Sequence, residues 1–528
     1  MTESTFRPPR AWRALHGNAL PLGLLLPLAL LALWHIAAAA QWLPPQTLPA
    51  PREVLHTLLQ LAGTGELFVN LAISLRRLLL GVLLGSALGL LLGVGMGLSR
   101  RFDAVLRVPL FAALQIPTLA WIPLLMLCFG IGEALKLVVI VKAVCIPMLT
   151  HARVGVRDAP PALLEVARIN GLSFWRRWRQ LYWPAATPAL LSGLRLAVSD
   201  AWLSLLVVEL LASSEGIGHL IVDGRQLFQL DVVMVGIFTI GLTGLAMDAL
   251  LGTLERHVLR WPRPALAALK HHEAAPTWRL AGVGVLVALL ATWQALAGHS
   301  PGAAAAGATP LQVLHFAVQA VRDGSLVQAL GASFSRYLPG LLIGVSAGSL
   351  IGIALGWNRR IDRIAGPVLR FVRHVAIFAW LPLLTAWVGL DERAKIAFVA
   401  IATALPMLVA VAAGMRAVPP TLMEVADVLG LSTWKRFATL RWPAAAPQCF
   451  AGLHLCLIHA WLATIGAEYF LSSAPGIGSL MINAQQTFRM DVVVTAMLTI
   501  GALGAALNRA GQWLERRATG WRHQEPTP

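Results

Sequence analysis

Charged residues are scarce in this sequence. Of its 528 residues, 13% are Asp, Glu, Lys or Arg, whereas 57% are hydrophobic. An ordinary soluble domain is about one-quarter charged. The chain therefore lacks the polar surface that would cover a water-soluble globule of this size, which excludes a soluble enzyme, a secreted disulfide scaffold and a disordered protein. A polytopic membrane protein remains.

Cysteine is rare, and phosphate-binding glycine loops are missing. The four cysteines lie in apolar runs, where a free thiol behaves as a small hydrophobic group, and their spacing fits no disulfide or metal pattern. The sequence contains no Gly-X-X-X-X-Gly-Lys-Ser/Thr segment. We therefore expect no metal, no cofactor and no nucleotide site in the chain. The first apolar run is too long for a signal-peptide core, so no cleavable signal is expected. The cysteines are Cys128, Cys145, Cys449 and Cys456.

Long apolar runs are abundant instead. A helix needs roughly 20 apolar residues to cross a bilayer, and open strands cannot satisfy their backbone groups in lipid. Such runs occur six times in each half of the chain. The sequence therefore predicts an all-α polytopic membrane protein with about twelve transmembrane helices, near residues 20–40, 74–98, 106–130, 134–156, 187–212, 231–253, 277–297, 333–357, 370–389, 395–415, 446–471 and 491–512.

The 42 Lys and Arg residues outnumber the 25 Asp and Glu residues, which gives a net charge of +17. In a membrane protein this excess reports orientation rather than nucleic-acid binding, because basic residues accumulate on the cytoplasmic side. Most of them fall before the first predicted span or after the even-numbered ones. This placement predicts that both termini are cytoplasmic. The basic segments are 7–13, 100–101, 153–179, 256–270, 359–363, 416–441 and 516–522.

The chain repeats itself at an offset of 259 residues, which becomes 260 after one inserted residue near Pro475. Trp121 and Trp380, for example, occupy matching positions, as do Glu209 and Glu468. Both halves start and end on the same predicted side, so the repeat is parallel. We predict a first repeat at 1–255 (core about 65–255), a cytoplasmic linker at 256–278, a second repeat at 279–517 (core about 325–517) and a cytoplasmic tail at 518–528.

Glycines recur with a period of four in the second and eighth predicted spans. This period places them along one stripe of a helix, where they allow another backbone to approach closely. Two interpretations stay open: ordinary helix packing, and a groove that guides helix sliding during gating. The two stripes are Gly81, Gly85, Gly89, Gly93 and Gly97, and Gly340, Gly344, Gly348, Gly352 and Gly356.

The loop after the fourth predicted span carries the most specific pattern, and the loop after the tenth repeats it. A proline pair can open a short helix, an acid in or near its first turn suits the helix dipole, and a glycine can end it in the left-handed conformation. A second, basic helical segment then returns to the membrane. We predict a helix–turn–helix in the cytosol, with matching residues Glu165, Ala167, Gly171 and Pro184, and Glu424, Ala426, Gly430 and Pro443.

This Glu-X-Ala-X-X-X-Gly pattern and the proline that closes it resemble the EAA loop of ABC importer permeases. The flanking segments 120–125 and 216–218 resemble the nitrate/sulfonate/taurine type, with two permease domains fused in one chain. Val166 and Trp183, with Val425 and Trp442 in the second half, depart from the usual motif residues. The resemblance implies a type I importer permease fold in a bacterial inner membrane and contact with membrane lipid.

The same resemblance implies partners. Two copies of a cytoplasmic ABC ATPase would bind one loop each, with the docking role carried to the eight motif residues given above. No large soluble segment is present, so an extracytoplasmic solute-binding protein would deliver the solute. A small anion or sulfonate is the expected solute, and heterocyclic vitamin precursors are a further option.

Ionisable residues inside predicted spans are candidates for the translocation pathway. The two glutamates lie near the outer ends of their spans, where pairing with a neighbouring helix or snorkelling is the alternative. The halves differ at the other two matched positions, so a pathway there would be asymmetric. The candidates are Arg195, Asp200, Glu209, His454, His459 and Glu468.

Two rival functions stay in view. A secondary transporter with six-plus-six parallel helices would need no ATPase, and the paired cytoplasmic loops argue against it. A membrane enzyme would need His, Asp or Cys residues clustered at one membrane depth, whereas the histidines are scattered. We expect a transport component rather than an enzyme.

Overall fold

The computed structural model describes residues 19–44, 47–159, 161–259, 276–299, 308–471 and 474–520. Helices dominate, and no β-strand occurs within these residues. Most of the predicted linker, part of the predicted tail and residues 300–307 lie outside them. The first half contains α1 (Ala19–Ala39), α2 (Pro51–Gly63), α3 (Glu66–Leu98), α4 (Arg100–Leu114), α5 (Thr118–Phe129), α6 (Glu133–Arg157), α7 (Pro161–Ile169), α8 (Phe174–Ala212), α9 (Ile217–Gln226) and α10 (Leu230–Val258).

The second half repeats these helices in the same order. Each lies 259 or 260 residues after its counterpart, with ends that agree within a few residues. The duplicated architecture predicted from the sequence is therefore confirmed. The helices are α11 (Pro276–His299), α12 (Pro310–Arg322), α13 (Ser325–Trp357), α14 (Arg359–His374), α15 (Ile377–Val388), α16 (Glu392–Arg416), α17 (Pro420–Val428), α18 (Thr433–Phe470), α19 (Ile477–Gln486) and α20 (Met490–Thr519).

Eight of the described helices are long and apolar enough to cross a membrane, or up to eleven spans if three bent helix pairs count as one each. Each of the spans predicted at 106–130 and 370–389 consists of two helices with a sharp bend between them. The chain bends by 92° between α4 and α5 and by 96° between α14 and α15. Pro117 explains the first bend, because the residue before a proline is disfavoured in helical conformation. The predicted run 277–297 falls in α11, whose apolar part, Gly282–Ala297, is shorter than the other spans.

The glycine stripes lie where long helices meet. The stripe of α3 faces α6, and the stripe of α13 faces α16. A Cβ atom at Gly89 would stand 2.7 Å from the carbonyl oxygen of Cys145, and one at Gly352 would stand 2.8 Å from that of Leu408. Only glycine permits backbones this close. The structure thus places both stripes in helix packing.

The first helix of each half packs against the other half. Gly23 of α1 lies under Pro367 of α14, and a Cβ there would be 3.3 Å from the proline ring. Gly282 of α11 approaches the Ala104 carbonyl and Val108 of α4, each 2.7 Å from an added Cβ. Because α4 and α14 are counterparts, the two crossings form a symmetric pair. The halves are therefore interlocked as well as joined by the chain.

Candidate functional site

Two short helices, α7 and α17, carry the repeated motif outside the long apolar helices. Glu165 and Glu424 are each the fifth residue of their helix and lie in its second turn, beyond the first turn where the helix dipole acts most strongly. Both carboxylates are exposed, whereas Ala167 and Ala426 are 2% and 1% exposed. Each helix thus presents its acid to solvent and packs its alanine inward.

A glycine in the left-handed region ends each of these helices. Gly171 has a φ of +61° and Gly430 a φ of +60°. The amide of Gly171 donates to the Arg168 carbonyl, and the amide of Leu172 donates to the Ala167 carbonyl, both at 3.0 Å. These are the paired bonds of a Schellman motif. The second half repeats both bonds at 3.1 Å, so both helices end where the glycines predict.

Large apolar side chains are exposed on both loops. Ile169 is 83% exposed and Val428 is 88% exposed, although each lies in a short amphipathic helix. Adjacent exposed apolar side chains of this size form a candidate surface for contact with another protein or with lipid. We define the docking surface as Val166, Ile169, Phe174 and Trp175 in the first half, and Val425, Val428, Leu429 and Trp434 in the second.

The two motif prolines lie inside continuous helices. The basic segment that follows each glycine turn is the first part of a longer helix, because α8 and α18 run from the loop directly into the long apolar segment. A π-helical turn at Trp178–Tyr182 precedes Pro184, and one at Phe437–Arg441 precedes Pro443. Proline has no N–H for an α-helical bond and crowds the preceding turn. The widened turn accommodates this defect, so each loop is joined rigidly to a membrane helix.

The two loops differ in one ion pair. In the second half, the Arg436 guanidinium bonds the Asp427 carboxylate, and its Nε donates to the Leu431 carbonyl at 2.6 Å. The matching residues of the first half are Arg177 and Arg168, which carry the same charge. This bond therefore fastens the glycine turn of the second loop alone.

We expect Arg436→Ala to loosen the second loop, because it removes one ion pair and one bond to the backbone, together about 1–2 kcal/mol. Hydrogen exchange of amides 425–436 should become faster by about fivefold or more. Arg177→Ala is the matched control and should leave exchange in residues 166–177 nearly unchanged. Equal acceleration in the two loops would contradict this asymmetry.

Glu209 is a buried hub at the end of α8 farthest from the docking surface. Its carboxylate accepts hydrogen bonds from the Ser74 hydroxyl at 2.8 Å, from Nη1 of Arg77 at 2.9 Å and from the amide of Gly218 at 3.0 Å. Arg77 also bonds Glu133 at 2.5 Å. The Glu209 side chain is 0% exposed. This cluster ties α3, α6, α8 and the start of α9 together.

The second half contains the same cluster around Glu468. Ser333 donates to this carboxylate at 3.0 Å, Nη1 of Arg336 donates at 2.6 Å and the amide of Gly478 donates at 2.9 Å. Arg336 also bonds Glu392. We did not single out either arginine from the sequence. The signal was a Ser-X-X-Arg segment that recurs at the repeat offset within an otherwise apolar helix.

A second pair of candidates bonds to the last long helix of its own half. Arg195 donates to Asp248 of α10 at 2.6 Å and approaches Glu255 to 3.7 Å. His454 lies 2.7 Å from Asn508 and 3.3 Å from Glu515, both of α20. These partners are the repeat counterparts of Asp248 and Glu255. The exchange of Arg for His thus accompanies an exchange of Asp for Asn.

A cavity of about 360 Å³ lies between the halves. Helices α5, α6 and α8 of the first half form most of its wall, and α15, α18 and α20 of the second half complete it. Asp200 is the only one of the six pathway candidates that lines it. His459, its counterpart, is exposed elsewhere, with Nδ1 2.8 Å from the Leu455 carbonyl. The polar lining residues are Gln115, Thr118, Asp200, Ser204 and Asn508.

These features define a class of protein. Two duplicated helical halves enclose a small cavity, and each half extends one rigidly connected loop with an apolar docking surface. Such an arrangement suits a transporter whose membrane part is moved by a separate protein.

The family model for "Binding-protein-dependent transport system inner membrane component" matches the chain twice, at residues 85–260 and 340–520. The chain therefore belongs to this family and contains two of its permease domains.

Curated relatives agree with this assignment. The chain is similar to SsuC of Escherichia coli, an aliphatic sulfonates transport permease protein, with 38% identity over 45% of the chain and 90% of that protein. The SsuC protein of Bacillus subtilis is 36% identical over 45% of the chain and 87% of its own length. CmpB of Synechococcus elongatus, a bicarbonate transport system permease protein, is 34% identical over 35% of the chain and 66% of its own length.

Proposed function

We propose that the chain forms the complete translocation pathway of an ABC importer, with both membrane subunits fused. Two copies of a cytoplasmic ATPase bind the two loops, and an extracytoplasmic binding protein delivers a small solute. The single observation that carries this proposal is the docking surface, which occurs once in each half on a glycine-terminated helix joined to a membrane helix. The chain itself acts as a transport component in the bacterial inner membrane, with both termini in the cytoplasm.

The connection between loop and membrane explains how movement is transmitted. A force on α7 reaches α8 after a turn of four residues, and α8 continues without a break to the cavity wall at Asp200 and Ser204. The α17 loop is joined to α18 in the same way. Closure of an ATPase dimer would therefore rotate the two cavity-lining helices relative to each other.

We expect Gly171→Val together with Gly430→Val to uncouple the protein. A β-branched residue at a φ near +60° costs about 1–3 kcal/mol per site, while the space around both glycines is open, with nothing within 4 Å of an added Cβ. ATPase that co-purifies with the chain should fall by at least tenfold, whereas insertion in the membrane should not change. Gly252→Val, at another open position without positive φ, is the control.

Uptake in proteoliposomes separates this proposal from an ion-driven transporter. The co-purified complex should take up solute when ATP is supplied and continue to do so with an uncoupler present. Uptake that stops with the uncoupler, or that proceeds without any ATPase, would overturn the proposal. Undiminished ATPase binding in the double valine variant would exclude the docking surface as its site.

A further inference from the structure

The cavity between the halves has one ionisable residue in its lining, the acid Asp200. Its carboxylate is exposed to the cavity, and no hydrogen bond or ion pair engages it among the described residues. No Lys, Arg or His belongs to the lining. A carboxylate in a narrow site of low dielectric attracts cations and repels anions more strongly than it would in water.

The rest of the cavity wall is mostly apolar and suits a small organic molecule. Ile146 and Leu203 contribute apolar surface from the first half, and Ile458 and Leu462 contribute it from the second. Pockets for small molecules combine such apolar walls with a few polar groups that fix orientation. Together with the carboxylate of Asp200, this apolar lining favours an organic cation over a hydrated inorganic anion.

Lys142 lies close to the cavity but does not line it. The ammonium group of Lys142 lies 3.3 Å from the hydroxyl of Thr118, which lines the cavity, and 5.4 Å from the centre of the Trp121 ring. The hydroxyl thus separates this cation from the cavity. Lys142 carries the opposite charge to Asp200, so an experiment must establish whether the electrostatic potential inside the cavity is negative or positive.

We propose that the cavity takes a solute with a protonated amine, which Asp200 binds. The inference rests on the proposed function, because the cavity is taken as the translocation pathway. It narrows that function to one chemical class.

The test uses two thiol reagents of nearly the same size and opposite charge, the ethylammonium and ethylsulfonate methanethiosulfonates. Ser204→Cys supplies the thiol, since Ser204 also lines the cavity one helical turn from Asp200, about 6 Å away. Rates are measured on the full chain in lipid nanodiscs. The parent chain gives the background from its four natural cysteines.

The measured quantity is the rate with the ammonium reagent divided by the rate with the sulfonate reagent. Asp200→Asn should lower this ratio for the thiol at position 204 by about tenfold, which corresponds to about 1.4 kcal/mol. Asp200→Glu keeps the charge and should keep the ratio. Thr64→Cys, in the exposed turn after α2, is the control thiol, and its ratio should not respond to Asp200→Asn.

Two results would overturn the proposal and assign the field in the cavity to Lys142. The first is a ratio at position 204 that Asp200→Asn leaves unchanged, and the second is a ratio that favours the sulfonate reagent when Asp200 is intact. Thermal unfolding of each variant shows whether it is folded. If Asp200→Asn does not fold, the ratio at position 204 with Asp200 intact decides, because the proposal requires that it favour the ammonium reagent. Labelling requires no ATPase. Failure of ATPase binding therefore overturns the proposed function alone, and failure of the ratio overturns the solute class alone.

Discussion

Arg77→Met should destabilise the protein by about 3–5 kcal/mol, because it leaves the buried Glu209 carboxylate without its counter-charge. The Arg77 side chain is 4% exposed and that of Glu209 is 0% exposed, so water cannot replace the lost partner. The same change removes the bonds from Arg77 to Glu133 and to the carbonyl of Glu215. Thermal unfolding in nanodiscs and the yield of folded protein measure the effect.

The neighbouring arginine provides a matched control. Arg76 is exposed on the same helix, so Arg76→Met should change the unfolding midpoint little. Adding Glu209→Gln to Arg77→Met removes the uncompensated charge and should restore more than half of the lost stability. A single Arg77→Met variant as stable as Arg76→Met would show that the cluster contributes nothing. Arg336 should behave as Arg77 does, since it bonds Glu468 and Glu392 in the same way.

Gly344→Leu should also be strongly destabilising, by about 3 kcal/mol. An added Cβ at this position would overlap the carbonyl oxygen of Ala400 and the hydroxyl of Thr403. The first is a backbone atom, so relief requires that α13 and α16 move apart along their length. The midpoint of thermal unfolding should fall. ATP-dependent uptake should fall as well, because the contact between α13 and α16 is lost.

The same substitution on the same helix should not lower the stability of the protein at a position where the added side chain has room. Gly331 of α13 has nothing within 4 Å of an added Cβ. Leucine is the better helix former by roughly 0.8 kcal/mol, so Gly331→Leu should leave stability unchanged or raise it slightly. Equal losses at the two positions would mean that helix contact is not the reason for the glycine stripe.

Features that depend on short stretches of sequence were predictable. Apolar length located the long helices, the repeat offset gave their correspondence between halves, and Gly171 and Gly430 marked the ends of α7 and α17. Each of these follows from local chemistry: hydrocarbon thickness, duplicated residues and the freedom of glycine at positive φ. The family assignment confirms the resemblance that the loops suggested.

Features that depend on distant residues were not predictable from one sequence. Ser74, Arg77, Glu133 and Glu209 are separated by up to 135 residues along the chain yet share one set of bonds. The sequence presented Glu209 as a pathway candidate, and only the packing of α3 beside α8 shows a buried ion pair. Asp200 and His459 look equivalent in the repeat, but only Asp200 lines the cavity.

Bends within apolar runs were missed for a related reason. Hydropathy counts apolar residues and does not register direction, so α4 with α5 reads as one span. Pro117 signals the first bend, whereas the second half has Ala376 at that position and bends by 96° all the same. There the packing of Phe371 of α14, and of Val375 directly after it, against Gly241 of α10 accompanies the bend.

Helix α1 packs on α14 of the second half, and α11 packs on α4 of the first. This exchange has a consequence for how such a chain is made. Synthesis of the first half leaves the face of α4 that α11 later covers open to lipid, and α1 waits for a binding surface that has not yet been translated. The first half therefore cannot complete its packing until α11 and α14 of the second half have been made. Fusion supplies these helices directly after the first half, within the same chain.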